Sequence, residues 1–399
     1  MTQVPEKQPL ILLIGSRTGG PLIPLLGMKD EIIKEVRARK APEPRFMIIG
    51  IRGGFEEQAA RSENLPLVYL PEVKGKPSPG DLGGGGMRLL GMALLPALWV
   101  IFLGRLSWST LRAWLYLRKH RPALILSMSN FLSVPVVWAA AFENAWRRLA
   151  GPFRRLFRVA PRPAIRTALH QLDIQNLTVK LTAPFIHLLT VGFESIRRGS
   201  SLVVPNPVRY EKFDALTEQA ARDSLRREDL IGSSKEPVLL VFGGGSGALF
   251  INRWLHENFQ ELTRHFRVLH LTGFLQDKSF EFPQHPNYRG CTGLTDLMPA
   301  ALIGSDLILA RAGMSTISEL LYLRKNAYLV PIPGGHQVHN ARAVSDYFQT
   351  LEQKHVGQWV EQLAADKGDG FSRFHSVRWE YFTDANRHAY RDLLLELLD

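Results

Sequence analysis

The stretch that decides the fold reads Leu309-Ala-Arg-Ala-Gly-Met-Ser-Thr-Ile-Ser-Glu-Leu320, followed by Pro331-Ile-Pro-Gly-Gly-His-Gln-Val-His-Asn-Ala341. An apolar run over 306–310 ends in Arg311, a small residue and Gly313, and a Ser/Thr-rich helix start follows with Glu319 inside it. A second apolar run, 327–332, ends in a polar loop with His336, Gln337 and Asn340. Strand, turn and helix start in this order bring unpaired N–H groups and a partial positive charge to a strand end, which suits a diphosphate. A carboxylate and amides beside it suit hydroxyl recognition.

Upstream, Gly243-Gly-Gly-Ser-Gly-Ala248 follows an apolar strand at 238–242 and opens a helix. Such glycines let backbone N–H groups approach a phosphate, and Ser246 beside Gly245 adds a hydroxyl. The loop lacks the Lys-Ser/Thr ending of a P-loop, and no acid ends the next strand at 268–271, as a dinucleotide site requires. Alone it reads equally as a tight structural turn. Taken singly, Arg311 reads as a surface cation or a local salt bridge, Glu319 as a helix-face acid or a capping-box partner of Ser315 or Thr316, and His336 and Gln337 as a helix N-terminal cap. Together, the three loops leave the carboxyl ends of one sheet, where open α/β folds bind ligands.

The N-terminal half has the same grammar. A buried-type strand at 9–14 ends in Gly15-Ser-Arg-Thr-Gly-Gly20, a helix runs to about 40, and strands follow at 45–51, 67–70 and 123–127. This order predicts a doubly wound parallel α/β sheet. Residues 72–86 read as a surface loop. Pro205-Asn-Pro-Val-Arg209 reads as a hinge, which divides the chain into 1–208 and 209–379, with a C-terminal helix (385–398, within about 380–399) packing back on the first part. In the second part, helices are expected at 248–259, 296–303, 315–323 and 337–350. The 399 residues suffice for two cores. The single cysteine, Cys291, excludes an intrachain disulfide, and the polar N-terminus predicts no export.

The net charge of +12 is unevenly spread. Residues 1–205 carry +15 and the remainder −3, and residues 82–172 hold 13 Arg or Lys against one acid, Glu143. Within that segment, 87–104 is an uncharged apolar stretch apart from Arg88, shorter than the ~20 residues of a spanning helix and interrupted by Pro96. Strands on either side must join one sheet, which a single crossing would prevent. The stretch therefore reads as a helix dipping into a membrane interface, with a buried core helix as the alternative. Trp99, Trp108 and Trp114 mixed with Arg105, Arg112, Arg118, Lys119 and Arg121 favour an anionic membrane surface as partner. Nucleic acid is disfavoured, because long aliphatic runs add nothing to phosphate binding.

These motifs resemble the MurG family, peripheral membrane glycosyltransferases that complete the last lipid-linked precursor of peptidoglycan. The resemblance rests on the loop from Gly243 to Asn252, on Ala310-Arg-Ala-Gly313 with Ser318-Glu319, on His336-Gln-Val-His-Asn-Ala341, and on Asn206-Pro-Val-Arg209. It implies a GT-B fold, two Rossmann-like domains facing a cleft, with UDP-N-acetylglucosamine as donor and a polyprenyl-diphosphate-linked acceptor. It implies that Glu319 holds the ribose, that the helix start over Met314, Ser315, Thr316, Ile317 and Ser318 meets the diphosphate, and that Arg209, Arg311 and Ser246 neutralise it. Thr295 would lie against the uracil, and Gln337 and Asn340 would bind sugar hydroxyls. Thr18, Gly19 and Gly20 match the acceptor-side loop, and His170-Gln-Leu-Asp173 resembles the family's His-Glu-Gln-Asn segment.

The acceptor half departs from the family. Pro21 stands where the family has a histidine, Ser129-Asn-Phe-Leu-Ser-Val-Pro135 lacks the glycines of the second Gly-rich loop, and 142–166 is an extra segment. His170 and Asp173 become the candidate bases, although His170 reads equally as a packed core histidine. The expectation is an inverting transfer of N-acetylglucosamine to lipid-linked N-acetylmuramyl-pentapeptide, lipid I to lipid II. It would occur at the cytoplasmic face of the bacterial plasma membrane without a cofactor or tightly bound metal. The alternatives are another lipid acceptor or a non-catalytic nucleotide-sugar scaffold.

Overall fold

The structure, a computed structural model, describes residues 8–15, 17, 19–73, 87–150, 163–172, 177–232, 236–244, 247–273, 284–294 and 296–398. The chain divides into two compact units, one of Met1–Gly192, Ile196–Val204 and Tyr390–Asp399, the other of Phe193–Ser195 and Pro205–Ala389.

The first unit holds a parallel sheet of β1 (Leu10–Ile14), β2 (Arg45–Gly50), β3 (Leu67–Tyr69), β4 (Leu124–Ser127), β5 (Arg166–Gln171), β6 (Leu188–Val191) and β7 (Leu202–Val203). Their order is β3-β2-β1-β4-β5-β6-β7. Every residue of β1 is buried, as continuous apolar strands are when both sheet faces are covered. β5, reading Arg-Thr-Ala-Leu-His-Gln, has no such apolar run and was not expected from sequence. Two of its polar side chains meet neighbours: Thr167 Oγ1 donates to Phe185 O at 2.9 Å, and His170 Nδ1 lies 2.8 Å from the Thr190 hydroxyl. The helix Ala389–Leu398 brings Arg391 within 3.4 Å of Glu35 and its ring residue Tyr390 against His170, at a centroid distance of 4.9 Å.

The apolar segment forms one helix, Met87–His120, longer than the 87–104 expected. Phe102, Leu106, Ala113 and Leu117 are buried at helical spacing, while Val100, Ile101, Leu103, Trp108, Leu111 and Leu115 are exposed. One face is thus core and the other is an apolar surface, so neither sequence reading describes the whole helix. No described helix is long and apolar enough to cross a membrane. Glu143, on the neighbouring helix Ser133–Leu149, is buried between Arg147 Nε at 2.9 Å and Trp114 Nε1 at 2.9 Å. The segment's only acid is therefore consumed inside, while Arg105, Arg112, Arg118, Lys119 and Arg148 are exposed.

The second unit holds β8 (Val238–Phe242), β9 (Arg267–Leu271), β10 (Tyr288–Cys291), β11 (Leu307–Ala310), β12 (Ala327–Leu329) and β13 (Gln349–Thr350), in the order β10-β9-β8-β11-β12-β13, again all parallel. Trp254, Phe266, Tyr328 and Trp359 fill its core. The helix expected over 337–350 is shorter, His336–Ala343, because residues 349–350 pair with β12 as an edge strand. Residues 74–86 of the surface loop expected at 72–86, and 151–162 of the extra segment 142–166, lie outside the described residues.

Candidate active site

In the second sheet, β9 and β10 extend from β8 on one side, and β12 and β13 extend from β11 on the other. The loops leaving β8 and β11 therefore diverge and open a crevice at the sheet's switch point. The β8 loop needs its glycines. A side chain at Gly243 would sit 2.2 Å from Ala248 Cβ, and one at Gly247 (φ +85) would meet Thr272 O at 2.3 Å. Gly245 and Ser246 lie outside the described residues, as do Thr295, Thr18 and Asp173.

The helix Leu249–Glu257 behind this loop is braced by a buried polar chain that sequence reading did not anticipate. Asn252 Nδ2 donates to Thr272 O at 2.9 Å, which directs Asn252 Oδ1 toward His270 Nε2 at 3.1 Å. His270 Nδ1 lies 3.2 Å from the Tyr288 hydroxyl. Burial pushes the His270 pKa down to about 3, so the ring is neutral. A proton on Nε2 then satisfies both partners, with Nδ1 accepting from Tyr288.

After β11, Gly313 N donates to Arg311 O at 2.8 Å, and the helix Met314–Leu323 begins with Ile317 N bonded to Gly313 O at 2.9 Å. The N-cap position is Gly313, not Ser315 or Thr316, so the capping-box reading of Glu319 does not hold. The first-turn N–H groups have no helical acceptor and face the strand end, an anion-binding arrangement. Met314, Ile317 and Ser318 are buried, whereas Ser315 and Thr316 are half-buried at the mouth. Ser318 is a structural group: its Oγ donates to Met314 O at 2.7 Å and accepts from Asn206 Nδ2 at 3.0 Å. Glu319 is half-buried, and burial pushes its carboxyl up to about 7 against the opposing pull of the Arg209 charge.

Arg311 is not a surface cation. Its Nη1 donates to Val330 O at 3.0 Å, and its guanidinium lies 5.9 Å from the Phe250 ring centroid, so it ties the β8, β11 and β12 ends together. Burial lowers its pKa without removing its charge. At the start of the helix His336–Ala343, His336 is exposed and Gln337 Oε1 accepts from Ile332 N at 3.2 Å. Asn340 is buried, and its Nδ2 donates to Ala312 O at 3.0 Å. Its amide thus braces the Arg311 turn, and its Oδ1 is buried without a hydrogen-bond partner among the described residues.

In the first sheet the switch point lies between β1 and β4. Gly19 and Gly20 open the helix Gly19–Ala38, and Pro21 stands in its first turn, where a missing N–H costs no helical bond. Ser129 adopts φ +54 and Asn130 Nδ2 donates to Ile14 O at 2.9 Å, so the β4 loop closes onto β1 without the family's glycines.

His170, a candidate base, sits on β5 with no exposed surface, its Nδ1 2.8 Å from the Thr190 hydroxyl and its ring against Tyr390. It is a packed core histidine, and the catalytic reading of it is withdrawn: a group sealed between strand neighbours and the C-terminal helix cannot approach an acceptor hydroxyl. Among the described residues, no group of three or more His, Cys, Asp or Glu side chains is placed to hold a metal ion.

Residues 238–363 match the glycosyltransferase family 28 C-terminal domain. Across the whole fold, the chain is similar to the crystal structure of MurG from Acinetobacter baumannii (TM-score 0.57, 16% identity, covering 97% of this chain and 99% of that one). It is also similar to the calicheamicin glycosyltransferase CalG4 (TM-score 0.61, 13% identity, covering 98% and 99%). The chain is a glycosyltransferase of the GT-B type. In sequence, it is 30% identical over 339 residues to the UDP-N-acetylglucosamine–N-acetylmuramyl-(pentapeptide) pyrophosphoryl-undecaprenol N-acetylglucosamine transferase of Chlorobium luteolum, covering 84% of this chain and 82% of that one. It is 27% identical to the enzyme of the same name from Anaeromyxobacter dehalogenans, covering 84% and 78%. The chain belongs to this family, the MurG family.

Proposed function

We propose that this protein transfers N-acetylglucosamine from UDP-N-acetylglucosamine to the N-acetylmuramyl-pentapeptide carried on undecaprenyl diphosphate, the lipid I to lipid II step of peptidoglycan synthesis. The observation that carries the reading is the helix start at Met314, entered through Gly313, with Arg209 and Glu319 beside it, at the switch point of the second sheet. As the sugar leaves UDP, charge grows on the diphosphate. The helix N–H groups and the guanidinium groups of Arg209 and Arg311 stabilise it, and no resident metal is assigned a role. The Glu319 carboxylate accepts from the ribose hydroxyls, and Gln337 and Asn340 Oδ1 meet the sugar.

On the acceptor side, the helix start at Gly19 and Gly20 suits the lipid diphosphate. Inversion needs a base for the acceptor hydroxyl. With proline at position 21 and His170 in the core, Asp173 is the base candidate that remains. The exposed apolar ridge of the helix Met87–His120, ringed by arginines, supports peripheral binding to an anionic membrane, at the cytoplasmic face where the nucleotide sugar is available.

The test is UDP release by purified protein with liposomes and a panel of lipid-diphosphate acceptors, with and without a chelator. Turnover confined to the muramyl-pentapeptide acceptor and insensitive to the chelator is expected. Turnover on a different lipid alone overturns the acceptor assignment, and Asp173→Asn at wild-type rate removes Asp173 as base.

A further inference from the structure

The first unit contains a carboxyl group that the proposed mechanism does not use. Glu56 lies in the helix Phe55–Ser62, just after β2, with no exposed surface. Three glycines surround it. A side chain at Gly15, at the end of β1, would come 2.4 Å from Glu56 Cγ; one at Gly50, the last residue of β2, 2.6 Å from the same atom; and one at Gly54, 1.9 Å from Oε2. Space for this side chain is thus kept clear by backbone from two strand ends and a helix cap.

The carboxyl acts on Arg17. Arg17 N donates to Glu56 Oε1 at 2.6 Å, and Arg17 O accepts from Phe55 N at 2.9 Å. Both backbone polar groups of Arg17 are therefore held by consecutive residues of one helix start. Arg17 needs the hold, because its φ of +50 is one that side-chain-bearing residues avoid. Two residues further on, the chain enters the helix at Gly19.

A buried group that served only to fill space would be apolar, since a carboxyl is costly to desolvate. Glu56 Oε2 has no hydrogen-bond partner among the described residues, and burial pushes the group's pKa up. The cost is accepted where the one bonded oxygen does something an apolar side chain cannot. Sequence reading passed over Glu56, although an acid directly after Gly53-Gly-Phe at a strand end was the available signal.

We propose that Glu56 is a positioning residue for the lipid acceptor: by gripping the Arg17 backbone it sets the direction in which the chain enters the Gly19–Gly20 helix start. This rests on the acceptor-side reading above. Glu56→Gln keeps an oxygen for the Arg17 N–H, whereas Glu56→Ala removes it. Lys29→Met, which breaks the Lys29 to Glu63 contact of 2.9 Å between the same two helices, serves as a control for simple loss of stability.

The expected result is that Glu56→Ala raises KM for the lipid acceptor on the order of tenfold, with KM for the nucleotide sugar unchanged. It also speeds amide exchange at Arg17. Glu56→Gln behaves as wild type in both assays, and Lys29→Met lowers the melting temperature without the KM split. The proposal is overturned if Glu56→Ala moves both KM values alike, if Gln fails to rescue, or if exchange at Arg17 is unchanged. Should wild type fail to use the lipid acceptor, the proposed function falls, while exchange at Arg17 still decides whether Glu56 holds the backbone.

Discussion

Asn206 Nδ2 donates to the Ser318 hydroxyl across 3.0 Å, and both side chains are buried. Through this bond the Asn-Pro-Val-Arg junction is fastened to the helix that carries Glu319, and Arg209 is brought near enough to lower that carboxyl's pKa. The Asn206 main-chain N–H is fixed as well, by the Tyr381 hydroxyl at 2.8 Å. The geometry of the charged pair at the donor crevice is therefore set by residues that do not touch the donor in this reading.

Asn206→Ala should lower stability by about 1–3 kcal/mol, the cost of a cavity and a buried hydroxyl left without its donor. It should also weaken UDP binding, because Arg209 loses its anchor. Thermal unfolding and calorimetric titration with UDP check both, and an unaltered UDP affinity would refute the anchoring argument.

In the proposed site, Glu319 should make donor binding depend on pH. Hydroxyl donors favour the carboxylate, so affinity for UDP-N-acetylglucosamine should rise with pH through about 7. If only the carboxylate binds, the change from pH 6 to pH 8 is roughly tenfold. The effect on stability runs the other way. A raised carboxyl pKa means the folded chain holds the proton more tightly than the unfolded one, so this group's contribution declines as pH climbs from the ordinary carboxylate range to about 7. Glu319→Gln should flatten the affinity profile, and a profile identical to wild type would remove Glu319 from the ribose site.

Arg311 Nη1 donates to Val330 O at 3.0 Å and Pro331 O at 3.4 Å, and the proposed function asks the rest of its planar fork to meet the diphosphate. Lysine cannot do both at once. Arg311→Lys and Arg311→Ala should each raise the barrier, the alanine change by about 2–4 kcal/mol. Steady-state kcat is the measurement, and a rise in KM with kcat unchanged would mean that the arginine binds ground state and transition state alike.

Membrane binding should separate into two components. Arg112→Glu with Arg118→Glu should weaken binding to anionic vesicles by about 1 kcal/mol per cation lost, in a salt-dependent manner. Trp108→Ala, removing an exposed aromatic, should weaken binding to neutral and anionic vesicles alike. Vesicle flotation distinguishes these, and equal flotation of all variants would move the docking face elsewhere.

Much of the fold could be read from the chain. Strands such as 238–242 and 307–310 are continuous apolar runs that end in glycine or a polar turn, and only a parallel sheet covered on both faces buries such runs whole. The helix start at Met314 was legible for a related reason: small and hydroxylated residues after a strand, then apolar periodicity, have few other local solutions. β5 was not legible, because Arg-Thr-Ala-Leu-His-Gln has only two apolar residues set between polar pairs, neither a continuous nor an alternating pattern, and is buried only by partners far along the chain.

What the sequence by itself determined was the architecture and the chemistry offered at the strand ends, since both follow from local patterns of hydrophobicity, glycine and helix starts. Only the tertiary structure decided which polar side chains work inward. His170 became core, Ser318 and the Asn340 amide became braces, Glu143 neutralised a buried arginine, and Glu56 took hold of Arg17. The physical reason is that a side chain's role depends on its desolvation and on the partner it meets, and for His170, Asn340 and Glu56 that partner stands 20, 28 and 39 positions away.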